Sequence, residues 1–122
     1  MMNVDNYTKL IRDFPQLFKD AGASPYDSCM AFGCECSDGW YDLIYQACKD
    51  ITAVDPEAYL LQVKEKFGGL RLYIAGNEAA QDLASAAEER SYEICEQCGS
   101  KEDVTSEGSW VTTLCDVCRR RQ

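Results

Sequence analysis

Histidine is absent from these 122 residues. The commonest general base goes with it, and so does every Ser-His or Cys-His nucleophile pair. No apolar run reaches the roughly 18–20 residues that a membrane-spanning helix needs. The opening MMNVDNYTKL has neither the basic start nor the apolar stretch of a secretory signal. Internal repeats and low-complexity tracts are also missing. Positive charge is scarce: 12 basic side chains face 21 acidic ones, for a net charge of −9. That field repels phosphate backbones, which disfavours generic DNA or RNA binding, and it also serves solubility. These absences point to a soluble protein in a cytoplasm that keeps thiols reduced, with no membrane partner.

What is present is cysteine. Cys95 and Cys98 form a C-x2-C, sixteen residues follow, and Cys115 and Cys118 form a second. Two residues between thiols let a tight turn aim both sulfurs at one ion, and the gap admits a hairpin that brings the pairs together. The pattern predicts one structural Zn²⁺ on Cys95, Cys98, Cys115 and Cys118. Four thiolates leave no open position for a catalytic water, and with no histidine available enzymatic activity is not expected. Four disulfides would require an oxidising compartment, and a thioredoxin-like role a βαβ setting that the sequence does not offer. Cys29, Cys34, Cys36 and Cys48 have no paired spacing. Cys48 falls on an apolar helix face as a small hydrophobe, and a second metal on these four stays open.

With 46% apolar residues, the chain suits one α+β domain carrying a small appendage. Residues 1–94 are expected to form the body, with helices over about 5–21, 39–52 and 78–92. Pro15 should interrupt the first of these, Asp38 should cap the second and Asn77 the third. The clearest strand signal lies at about 59–75. Leu61, Val63 and Phe67 alternate with Gln62, Lys64 and Lys66; Leu70, Leu72 and Ile74 alternate with Arg71, Tyr73 and Ala75. Gly68-Gly69 between the runs predicts an antiparallel hairpin, both glycines taking positive φ.

Residues 95–122 should form a zinc module packed on the third helix, either a treble clef or a zinc ribbon. Gly99 would turn the first knuckle, 105–109 would make the hairpin turn, and Trp110 to Leu114 would return as a strand. If the tail is helical, Cys115 and Cys118 lie at its N-terminal end, where free N–H groups favour thiolates. So few residues bury too little to fold unaided, so the metal must hold them.

Other charged groups have simpler readings. Glu35, Asp38 and Asp42 gather at the start of the second helix, with capping and solvation the ordinary explanation. Lys64, Lys66 and Arg71 share the hairpin's polar face. Together with Trp40, the groups Glu35, Asp38, Lys64, Lys66 and Arg71 are candidates for meeting a partner protein. Arg119, Arg120 and Arg121 are candidates for touching nucleic acid, or else a solubilising tail that complements a helix end.

Three segments carry a resemblance: Glu35-Cys36-Ser37-Asp38-Gly39-Trp40 onward to Ile44, Val63 to Tyr73 with its KFGGLR core, and the knuckle with Trp110 to Cys115. Together they resemble a group of small, functionally unassigned proteins of bacteria and their phages or prophages, with Ser37 standing where that group carries glycine. The finger resembles treble-clef modules of the GATA type. The resemblance implies a bacterial setting and a shared fold, and no chemistry. The expected function is a zinc-stabilised, non-enzymatic, protein-binding accessory factor, such as a phage-type inhibitor or modulator of a host protein. The alternative is a nucleic-acid-associated regulator using the C-terminal arginines and the basic hairpin face.

Overall fold

The computed structural model describes residues 1–122. Helix α1 covers Val4–Asp13, and the Asn3 side chain caps it by accepting from the Asn6 N–H at 2.8 Å. It ends well short of residue 21. Pro15 has no N–H to give and crowds the residue before it, so Phe14 leaves helical conformation at φ −131°, ψ 61°. Beyond Pro15 the chain makes a series of tight turns, which still buries Phe14, Leu17 and Phe18.

Helix α2 spans Tyr41–Val54, entered through a 3₁₀ turn at Asp38–Trp40. Its apolar face (Leu43, Ile44, Ala47, Cys48 and Ile51) is buried, as its spacing predicts. Asp38 does not cap it. The Asp38 carboxylate accepts from the Asn3 backbone N–H at 2.8 Å and from the Asn6 amide at 3.1 Å, so it fixes the start of α1 against α2.

Strands β2, Tyr59–Lys66, and β3, Gly69–Ala75, make the expected antiparallel hairpin. The turn is displaced by one residue. Lys66 pairs with Gly69, and the two turn residues with positive φ are Phe67 at 53° and Gly68 at 83°. A bulge between Leu60 and Gln62 also shifts the register, so Leu60 and Val63 are buried while Leu61 faces out. The hairpin is not alone. A two-residue strand β1, Cys34–Glu35, lies parallel to β2 with Cys34 opposite Val63. No sequence period signals so short a strand.

Helix α3, Glu78–Ser91, is capped by Asn77, whose side chain accepts from the Ala80 N–H at 2.9 Å. Ala80, Ala84 and Ala87 are buried, and their small side chains let the helix approach both β3 and α2 closely. Leu83 on the same helix is only half-buried. At its end Ser91 Oγ accepts from the Leu70 N–H at 2.9 Å and donates to the Glu88 carbonyl at 2.5 Å.

Residues 95–122 fold as a knuckle, a hairpin of β4, Val104–Glu107, with β5, Thr112–Cys115, and a short helix α4, Asp116–Arg120. The hairpin turn falls later than expected. Thr105 and Ser106 lie in β4, Gly108 takes φ 111°, and Trp110 sits in the turn instead of the returning strand. No helix is long and apolar enough to cross a membrane.

Candidate metal centre

The four sulfurs of Cys95, Cys98, Cys115 and Cys118 lie within 4.8 Å of one another. They form the only such cluster in the chain: Cys29, Cys34, Cys36 and Cys48 do not assemble a second. Cys98 Sγ and Cys115 Sγ are 3.7 Å apart, far beyond the ~2.05 Å of a disulfide. Sulfurs bound tetrahedrally at about 2.3 Å would stand about 3.8 Å apart, so the spacing fits a four-coordinate metal.

Local backbone geometry explains the arrangement. The Gly99 N–H donates to the Cys95 carbonyl at 2.9 Å, and the Cys95 N–H to the Ser100 carbonyl at 2.8 Å, which closes the knuckle. Gly99 takes φ 81°, the left-handed conformation expected of it. On the other side Cys115 caps α4 and its sulfur accepts from the Cys118 N–H at 3.4 Å. Cys95 and Cys115 are buried, whereas Cys98 is exposed and Cys118 half-exposed beside Arg121.

Charge at the cluster is uneven. Burial opposes ionisation of Cys95, but backbone hydrogen bonds from Cys115, Cys98 and Gln97 outweigh it and bring the thiol down to about 7. Hydrogen bonding with Cys115, together with desolvation, pushes Cys118 up to about 12. One sulfur is thus poised to ionise, and a bound cation would draw the protons from the others.

The module is fastened to the body around Glu96. The Gly39 N–H donates to the Glu96 carbonyl at 2.7 Å, and the Ser37 N–H to its carboxylate at 2.9 Å. The Glu96 N–H reaches the Thr113 carbonyl at 3.0 Å, joining knuckle to β5. Burial holds the Glu96 carboxyl above its ordinary range, against the Ser37 N–H that favours the anion. Trp40 is fully buried and its indole N–H donates to the Ile94 carbonyl at 2.9 Å. Gly39 has no room for a side chain, since a Cβ would collide with the Cys95 and Glu96 carbonyls. On the hairpin, Thr113 Oγ1 donates to the Gly68 carbonyl, and a Cβ on Gly69 would strike the Tyr92 ring. The Glu35-to-Trp40 and KFGGLR segments thus both serve to seat the knuckle and its neighbours.

This placement corrects several sequence expectations. Trp40 cannot meet a partner because nothing of it is exposed. Asp38 is engaged by α1, Glu35 accepts from the Gln62 amide at 3.3 Å, and Arg71 pairs with Glu88 at 3.2 Å. Of the charged residues proposed to meet a partner, only Lys64 and Lys66 have neither an ion pair nor a side-chain hydrogen bond within the fold. Arg119 is not a free nucleic-acid contact: its guanidinium donates to the Thr105 and Thr112 carbonyls at 2.6 and 3.1 Å, bracing the β4–β5 hairpin. Arg120 pairs with Asp116 at 3.0 Å, which leaves Arg121 alone of the three unengaged. Sequence reasoning missed Glu96, and it placed Phe67 among the alternating apolar residues of a strand and Trp110 in the returning strand, although both lie in turns and are exposed. The signal for Glu96 was Gly39 itself, a glycine at a helix entrance where the helix alone does not call for one.

No family model, no curated protein and no solved structure matches this chain.

Proposed function

We propose that this chain is a zinc-stabilised, non-enzymatic protein-binding factor, of the kind with which phages inhibit or modulate a host protein in the bacterial cytoplasm. The metal is Zn²⁺, because four thiolates at tetrahedral spacing suit that ion and satisfy its whole coordination shell. The order knuckle, hairpin, short helix with the second cysteine pair at its start favours a treble clef over a ribbon. A closed site of this type holds structure together and activates no water.

One observation carries the protein-binding reading. Trp110 and Phe67 are 83% and 71% exposed at two adjoining turns, the most exposed Trp and the most exposed Phe of the chain. Exposed aromatics gathered at one place mark interaction surfaces, where Trp in particular supplies binding energy. The engaged state of Arg119 and Arg120 weighs against a nucleic-acid surface on α4. The test is affinity capture from host lysate after nuclease treatment, followed by reconstitution from the purified pair. A stoichiometric complex with one protein is expected. Retention that needs nucleic acid and vanishes with nuclease contradicts the reading.

A further inference from the structure

The turn of the β2–β3 hairpin and the turn of the β4–β5 hairpin face each other across a groove of about 260 Å³. Lys64, Lys66 and Phe67 form one wall, Trp110 and Val111 the other. We propose that this groove docks an acidic segment of a partner protein, a stretch of Asp and Glu around one apolar anchor, and that the metal is needed to build it. The proposal rests on the protein-binding reading above and names its surface and the chemistry it recognises.

Phe67 is the first reason. It holds φ 53° at the first position of a two-residue hairpin turn, where Asn, Asp or Gly is the ordinary choice. A bulky residue in that conformation is strained, and burial would normally offset the strain. Here the ring stays 71% exposed, so the fold gains little from it. Trp110 across the groove is likewise exposed, on a turn shaped by Gly108 at φ 111°. Two aromatic faces with Val111 between them offer an apolar slot that the chain itself does not fill.

Charge selects the occupant. Lys64 and Lys66 line the slot without an ion-pair partner, and Lys66 Nζ lies 5.7 Å from the Phe67 ring centre. Glu65, between them, also lines the groove, but one of its carboxylate oxygens accepts from the Gly68 N–H at 2.7 Å, and the two lysines leave the lining with one net positive charge. The slot is therefore a positive spot on a molecule of net charge −9, and an anionic segment finds its match there and is repelled elsewhere. A single-stranded nucleic acid would also stack on aromatics, but its backbone requires a track of cations. Two lysines do not make a track; Arg71, opposite Lys64, is paired with Glu88, and Arg119 is spent inside the other hairpin.

The groove is composite. Its Trp110 wall belongs to the module and is set against the hairpin by Thr113 Oγ1, which donates to the Gly68 carbonyl. Gly68 is small enough to permit it: a Cβ there would stand 3.0 Å from Thr113 Oγ1 and from Val111 Cγ1. Removing the metal releases that wall.

The test is a random-peptide display selection on the metal-loaded protein. Selected peptides should be rich in Asp and Glu flanking an aromatic or aliphatic residue. Their affinity should fall about tenfold or more in W110A and in the double variant K64E/K66E, with metal content and Tm unchanged in both. Chelation should abolish binding. Neutral or basic winners, failure to select any peptide, or peptides indifferent to W110A overturn the proposal. So does retention of an oligothymidylate lost in W110A, or a dimer of the chain that W110A dissolves. If a host protein is captured equally well by wild type and W110A, the protein-binding reading stands and this groove is not its site.

Discussion

The body and the module are held together by different forces. The body gathers twenty-three buried side chains into one cluster around Trp40, Ile44, Leu60, Val63 and Leu70. The module gathers three, and two of those are the cysteines Cys95 and Cys115. Apolar burial at about 25 cal/mol per Å² can hold the first, whereas the second has almost no such area to draw on. What the module has instead is sulfur at metal-binding distance and a set of backbone contacts with the body. The body is thus the scaffold, and the module is an addition whose four sulfurs are placed to hold a metal and which Glu96 fastens.

The largest effect should come from breaking the sulfur set. In zinc-finger peptides the metal contributes on the order of 10–16 kcal/mol, so Cys115→Ala should abolish stoichiometric zinc and unfold residues 95–122. Hydrogen exchange should then show protection lost across the module but kept in α2 and α3. Ile44→Ala tests the other half. It removes a fully buried side chain from the body and should cost about 2–5 kcal/mol in denaturant unfolding. The folded fraction should keep its zinc.

Gly39→Ala is aimed at the joint between the two. Its Cβ would meet two backbone carbonyls that cannot swing aside, so a loss at or above the usual overpacking cost of about 1–3 kcal/mol is expected. Zinc should stay bound, because none of the four sulfurs is touched. Loss of zinc together with stability would mean that module and body are one cooperative unit.

The smallest effect separates the two classes of cysteine. Desolvation pushes the Cys34 and Cys48 thiols up to about 12 from an ordinary value near 9. They are neutral at pH 8 and should resist alkylation in the native protein, whereas exposed Cys29 reacts first. The sign for stability follows. Between about pH 9 and 12 the unfolded chain loses these protons while the folded chain keeps them, so the contribution is complete below about pH 9 and declines above it. Denaturant midpoints measured across that range check the slope.

The two regions also differed in how well their sequence revealed them. The four-sulfur cluster was legible because its signal is local: spacing of paired cysteines, and a glycine free to take positive φ at position 99. The caps at Asn77, the apolar face of α2 and the hairpin were readable for the same reason. Features that depend on distant residues were not. The Asp38 carboxylate reaches Asn3 and Asn6 across more than thirty residues, the parallel strand at Cys34–Glu35 exists only beside Val63 and Lys64, and the bulge at Leu61 inverts an alternation that looked regular. Glycine misled in one place. Gly68-Gly69 looked like the turn, yet Phe67 takes the first turn position and Gly69 is a strand residue kept small by Tyr92.

X-ray absorption at the zinc K-edge of natively purified protein addresses the four-sulfur assignment without any variant. One zinc per chain with four sulfurs at about 2.3 Å and no lighter ligand atom is the expected spectrum. A metal-free protein, or a shell containing oxygen or nitrogen, would mean that something other than these thiolates holds residues 95–122 in place.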